Sequence, residues 1–253
     1  MTKIAVIGLG EAGGTYAEAL VAAGHQVWGV DPADVETPAG VQRVAELPVS
    51  GLDVVLVVTS ARVAGILSET TLPRVGPGTV WVDMTTASPG QKAAAVQRAA
   101  AGVGYVDIAI LGPVIQQGTD TPLLVAGADA EPVAELLRTI GAPVEVVPDG
   151  RPGDAMAHKL LRSILMKGLA AIVTEAVTAG IAAGRESWIR DQIAAQLAGD
   201  GRATLERFLT GSVKHAARRS EEMGSVVEYP EELGVRSDMS NGARNQLVAL
   251  REV

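Results

Sequence analysis

Three polar side chains interrupt an otherwise apolar stretch at a regular interval: Lys159, Ser163 and Lys167 stand at i, i+4 and i+8. On a helix that spacing stacks them on one face. Two readings stay open for the stripe. Lysine stems can snorkel from a packed helix and leave their ammonium groups in water. Alternatively one amine points into a cleft between domains, where partial desolvation fits it to exchange a proton with a substrate hydroxyl. Composition favours lysine for any acid/base work. The chain has no cysteine and only three histidines, His25, His158 and His215, far apart in sequence. Thiolate catalysis, disulfides, iron–sulfur ligation, most structural zinc and histidine-rich metal sites are thereby removed. His158 lies about 100° from Lys159 on a helical wheel and reads instead as a helix-start partner of Asp154.

A second group of residues points to a dinucleotide. GLGEAG (8–13) follows the apolar run KIAVIG and opens an alanine-rich helical stretch that ends before Gly24. Gly8 suits a tight turn, Gly10 lets backbone approach a pyrophosphate, and Gly13 permits close helix packing, with Leu9, Glu11 and Ala12 completing the loop. Helix N-terminal amides then face the phosphates. Asp31 ends the next apolar run, 23 residues after Gly8, and Pro32 and Ala33 follow it. A carboxylate there accepts ribose hydroxyls and repels a 2′-phosphate, so NAD is expected over NADP. A purely structural glycine turn and a different adenosine ligand, such as a methyl donor, are the competing readings. Thr59 and Ser60 follow the run DVVLVV and join the candidate cofactor set together with Thr86.

VDMTTASPGQ (82–91) ends one strand and starts a helix: Ser88 suits the N-cap, Pro89 the first helical position and Gln91 a capping box. Thr85 and Thr86 sit at the carboxyl end of that strand, where doubly wound sheets place ligands, so their hydroxyls are candidates for the nicotinamide side. Structural cap and ligand contact both fit this segment.

The elements that must carry these residues follow from the hydrophobic rhythm. Short β-branched runs (KIAVIG, QVWGVD, DVVLVV, TVWVD, YVDIAI, PLLVA, VEVV) alternate with alanine-rich stretches up to about residue 150, which predicts an α/β fold with a doubly wound parallel Rossmann-type sheet. From Asp154 the strands vanish and 155–184 reads as one helix, followed by more helices: a smaller all-helical domain. PDGRPGD (148–154) marks the junction, giving domains 1–153 and 154–253. At 253 residues, one large domain and a smaller one are in proportion. A formal charge of −8 without long basic runs argues against nucleic acid. Uncharged stretches fall short of the roughly 18 apolar residues that span a bilayer. The start MTKIAVIG enters a strand at once, without a signal-peptide pattern, so a cytoplasmic, non-membrane protein is expected. The run Arg218, Arg219, Glu221, Glu222 reads as a solvated helix face with local ion pairs, an anion contact being the alternative.

Taken in order, GLGEAG (8–13), DMTTASP (83–89), YVDIAILGP (105–113) and HKLLRS (158–163) resemble the β-hydroxyacid dehydrogenase superfamily, which includes 3-hydroxyisobutyrate and 6-phosphogluconate dehydrogenases and, more distantly, imine reductases. The resemblance implies that Lys159 is the general acid/base on a helix running between the domains. It further implies a homodimer in which C-terminal helices of one subunit help close the other's site. Two departures stand out. The family's asparagine four residues after the lysine is Ser163 here, and its carboxylate-gripping serine-glycine-glycine is Leu111-Gly112-Pro113. Leucine has no hydroxyl and proline no amide donor. KLLRSILMKG (159–168) and HAARRSEEM (215–223) resemble a less characterised branch with a divergent C-terminal domain, in which Lys167 is also a candidate. The expected substrate set is Thr85, Leu111, Gly112, Ser163 and Lys167. The expected activity is hydride transfer between NAD and the alcohol carbon of a small hydroxyacid-like substrate. Imine or keto reduction and a noncatalytic nucleotide-binding protein are the alternatives.

Overall fold

Runs such as IAVI (4–7) and VVLV (54–57), apolar throughout and rich in β-branched residues, belong in strands covered on both faces. The computed structural model, which describes residues 1–252, assembles eight strands into one sheet. They are β1 (Lys3–Ile7), β2 (Gln26–Val30), β3 (Gln42–Arg43), β4 (Val54–Val57), β5 (Val80–Asp83), β6 (Gly104–Ile110), β7 (Leu123–Ala126) and β8 (Val144–Val146). Their spatial order is β3-β2-β1-β4-β5-β6-β7-β8. Helices α1 (Glu11–Ala22), α2 (Ala61–Thr70), α3 (Pro89–Val96), α4 (Val114–Gln117) and α5 (Ala130–Arg138) connect them. One sheet face packs Ile4, Val6, Leu56 and Ile108 against Tyr16 and Leu20 of α1 and Val133 and Leu137 of α5. The other packs Ala5, Val55, Trp81 and Tyr105 against Ala95 of α3.

The expected doubly wound parallel sheet is present, with its last two strands of opposite sense at the far edge. β7 runs antiparallel to β6, and β8 pairs parallel with β7. Residues 111–122 join β6 to β7 and hold only the four-residue α4 and a three-residue 3-10 turn, with no helix long enough to carry the chain back along the sheet for a parallel return. Chain direction also changes across the middle of the sheet: β2 lies on one side of β1 and β4 on the other. The carboxyl ends of β1 and β4 therefore form the switch point at which such sheets bind ligands.

The helical region comprises α6 (Asp154–Ala182), α7 (Glu186–Leu197), α8 (Gly201–Lys214), α9 (Ala216–Glu232) and α10 (Asp238–Ala249). By contacts the chain divides into compact units Met1–Leu161 and Arg162–Val253, so the division falls inside α6, eight residues beyond the expected junction. The physical reason is that Ala155 at the helix start is fully buried with Ala109, Leu124 and Ala126 of the sheet. In the second unit, Asp200 caps α8 by accepting from the amides of Arg202 (2.9 Å) and Ala203 (3.2 Å). Glu175 of α6 accepts from the amides of Met239 and Ser240 at the start of α10 (2.7 and 2.9 Å). The expectation about spanning segments is also corrected: α6 is long and apolar enough to cross a membrane by length and composition, once scattered charges are tolerated, and little of its most apolar stretch is buried.

Candidate active site

At the switch point, Gly8 has φ +95°, and a Cβ there would strike the carbonyl of Val58 in the loop after β4. Gly13 lies so close to the turn that a Cβ would collide with the Gly8 carbonyl. Gly10 differs, since a Cβ would meet nothing within 4 Å. Gly10 is also the N-cap of α1, without a side-chain cap, so the first-turn amides open outward. Beside them lies a cavity of about 540 Å3 lined by Leu9, Gly10, Glu11, Gly14, Val35 and Pro38. Open backbone, an uncapped helix start and an adjacent cavity fit the phosphates and adenosine of a dinucleotide.

Asp31 closes this loop from the end of β2. One carboxylate oxygen accepts from the Leu9 amide (2.7 Å) and the other from the Ala33 amide (2.9 Å), which ties β2 to the glycine turn. The sequence argument that no arginine neighbours Asp31 holds only along the chain. Arg43 reaches over from β3 and donates to the Asp31 carbonyl (2.9 Å), the Thr37 hydroxyl (3.3 Å) and the carbonyls of Val35 and Ala33. Its guanidinium thus holds the loop around the cavity.

Toward the β5–β6 side the sheet carries charge. Asp83 and Asp107 are directly opposite in register, on a buried face where two carboxylates repel. Lys92 of α3, with no exposed surface, lies between them. Its Nζ is 2.7 Å from Asp107 Oδ1 and 3.2 Å from Asp83 Oδ1, and it donates to the Asp83 carbonyl (2.9 Å). The Tyr105 hydroxyl donates to Asp83 Oδ2 (2.8 Å). Burial, then the neighbouring Asp83 charge, pushes the Tyr105 phenol well above its ordinary range. The second oxygen of Asp107 accepts from the amides of Gly153 and Met156 (3.0 Å each), at the start of α6. Lys159 follows three residues after Met156 and four after Ala155, on the face those two buried residues define, and is half-buried where His158 and Leu160 are exposed. Leu111, beyond the end of β6, packs against the cluster that contains Ala155.

Residues 3–148, more than half of the chain, match the family described as the NAD binding domain of 6-phosphogluconate dehydrogenase. The chain belongs to this family. Residues 181–250 match a domain of unknown function, DUF1932. No curated protein matches the chain in sequence. A solved structure of a conserved protein of unknown function, described as structurally similar to 3-hydroxyacid dehydrogenases, is 28% identical, with 99% of this chain and 97% of that chain covered and a TM-score of 0.65. A variant of an imine reductase from Myxococcus stipitatus in complex with NAD+ is 18% identical, with coverage of 98% and 93% and a TM-score of 0.80. A reductive aminase from Aspergillus terreus in complex with NADPH and ethyl levulinate is 18% identical, with coverage of 100% and 94% and a TM-score of 0.78. Both of these likenesses concern the fold.

Within this NAD-binding family member, the remaining expected residues fall into distinct settings. Thr59 and Ser60 follow β4; Ser60 caps α2 by accepting from the Val63 amide. Thr86 is exposed at the end of β5. Thr85, of the expected substrate set, is buried, and its hydroxyl accepts from the Ala87 amide (3.3 Å) inside the turn. Ser88 and Gln91 form the expected capping box with Pro89 in the first turn. Gly112 is half-buried against Gln117. Ser163, half-buried, and Lys167, exposed, continue the Lys159 stripe in the second unit. His158 Nδ1 bonds the Asp154 main-chain oxygen (2.7 Å), and Arg218 pairs with Glu222 as a surface contact. Sequence reasoning missed Arg43 and the Lys92–Asp83–Asp107 cluster. The available signal was an aspartate ending or interrupting each of two otherwise apolar runs, since a buried charge requires a partner.

Proposed function

We propose that this chain is an NAD-dependent oxidoreductase that moves hydride between the nicotinamide and the alcohol carbon of a small hydroxyacid-like substrate, with Lys159 handling the hydroxyl proton. The observation that carries the reading is the setting of Lys159. It is half-buried on the face of α6 that carries the buried Ala155 and Met156, in the same compact unit as the glycine loop. The bound nicotinamide would give or take the hydride. Lys159 as a neutral amine would accept the O–H proton during oxidation, and as an ammonium would donate it during reduction. Gly8, Gly10, Gly13 and the α1 amides would hold the pyrophosphate, and Asp31 the adenosine ribose. Thr86 and Gly112 lie at the same carboxyl edge and would line the substrate.

NAD preference is part of the proposal. Glu11, Glu18 and Glu36 line the cavity beside α1, so a 2′-phosphate there meets negative charge, while both terminal nitrogens of Arg43 are spent on the Thr37 hydroxyl and the carbonyls of Asp31, Ala33 and Val35. Fluorescence titration should give tighter binding of NADH than of NADPH; tighter NADPH binding would contradict this. One observation favours a second reading, imine or keto reduction: Leu111 is turned into an apolar cluster and Pro113 has no amide to offer a carboxylate. A screen separates the two. NAD reduction by hydroxyacids supports the first; oxidation of NADH by cyclic imines, with no hydroxyacid turned over, supports the second.

The proposal includes a homodimer. Along α6, Leu161, Ile164 and Leu165 are 67%, 74% and 66% exposed. Lys159, Arg162, Lys167 and Glu175 punctuate the same helix. A charge at the centre of a lipid-facing helix costs about 2.5–3.5 kcal/mol, so a second copy suits this surface better than a bilayer does.

A further inference from the structure

We propose that Asp107 is a positioning residue for Lys159: with Lys92 it bolts the first turn of α6 to β6 and so fixes where the Lys159 amine stands. The inference rests on the reading of Lys159 given above. Three observations within the first unit carry it. First, the cluster holds one lysine and two carboxylates, all almost fully buried, leaving one excess negative charge. That charge lies where the amides of Gly153 and Met156 converge on Asp107, at the positive end of a 29-residue helix. Second, the entry to α6 is pinned from another side. Gly153 has φ +107°, and a Cβ there would lie 2.7 Å from the carbonyl of Pro89, in the first turn of the helix that supplies Lys92. The helix start is therefore held by β6 and by α3 together. Third, Lys159 follows Met156 by three residues, so any slip of the anchored turn moves the amine with it.

Stability alone does not account for such a cluster. Buried ion pairs replaced by apolar side chains of similar volume are often neutral or stabilising. What an apolar pair cannot supply is an acceptor aimed at two helix amides. A displacement of about 1 Å at a reacting group costs on the order of 100-fold in rate, so a device that fixes the register of α6 serves the chemistry more than the fold.

The test needs no substrate. Trace acetylation with acetic anhydride, with and without saturating NADH, is read at Lys159 by peptide mass spectrometry, with Lys214 as internal reference. In the unaltered chain NADH should protect Lys159 by about fivefold or more. In Asp107→Asn protection should fall below about twofold while the NADH dissociation constant stays within about threefold, a separation that loss of fold would not produce. Equal protection in both chains would overturn the anchoring role and leave the reading of Lys159 standing. No protection in the unaltered chain would overturn that reading and the inference with it. Should Asp107→Asn fail to fold, the charge-free variant Lys92→Met, Asp107→Leu and Asp83→Asn, which leaves no buried charge without a partner, carries the same comparison. Hydrogen exchange in the unaltered chain adds an independent check: the Gly153 and Met156 amides should exchange as slowly as the amide of Val106, and rapid exchange would overturn the anchoring.

Discussion

In the first unit Ile4, Val6, Leu56 and Ile108 reach zero exposure between a sheet and its covering helices, whereas in the second Ile164, Leu165, Trp188, Phe208 and Leu209 each keep more than half of their surface exposed. Among the described residues, Ala216 and Val227 are the buried hydrophobics of the second unit. Both units use a carboxylate from outside to start a helix: Asp107 for α6 and Glu175 for α10. The first is sealed and shares Lys92 with Asp83, while the second stays partly open. The contrast teaches that the sheet unit contains what it needs to hold a dinucleotide in a fixed geometry. The helical unit displays apolar surface that, on the dimer proposal, a second copy covers.

The largest effect expected from breaking that contrast is on assembly. Ile164→Glu combined with Leu165→Glu should convert a particle of twice 26.0 kDa into one of 26.0 kDa by light scattering; an unaltered chain already at 26.0 kDa would remove the dimer from the account. Next comes packing. Leu56→Ala should lower stability to urea by about 2–5 kcal/mol, as expected for a sealed core position. Leu209→Ala, 59% exposed, made in the monomeric Ile164→Glu, Leu165→Glu background, should stay within about 0.5 kcal/mol. Similar costs at both positions would erase the distinction between the units. The smallest effect concerns acid. Burial alone would raise the Glu175 carboxyl, but bonds from the Ser240 hydroxyl and the amides of Met239 and Ser240 outweigh it and hold it below its ordinary 4.5. A depressed carboxyl contributes stability above its unfolded value that is lost as pH falls through the folded one. Melting of the second unit, followed by circular dichroism, should therefore weaken below about pH 4.5 in the unaltered chain and less steeply in Glu175→Gln. Identical acid profiles would remove Glu175 as the cause.

Much of this was legible in the residues. The glycine turn, the Ser88–Gln91 capping box and the single long helix from Asp154 each depend on neighbours within a few positions, and local chemistry decides them. The antiparallel β7 was less legible, because a β-branched run reads alike in either direction and only the short link to β6 sets its sense. Lys92 and Arg43 were not legible as partners. Lys92 meets Asp107 across 15 positions and Arg43 meets Asp31 across 12, through strand order rather than spacing. The buried setting of Thr85 likewise depends on how the turn after β5 folds on itself.

The central claim is that the Lys159 amine moves the proton that accompanies hydride transfer. Its most direct test is Lys159→Met, with single-turnover rates measured at saturating cofactor and NADH affinity measured alongside. The account predicts that the rate falls by about 100- to 10,000-fold while the affinity is unchanged. A rate equal to that of the unaltered chain would contradict it.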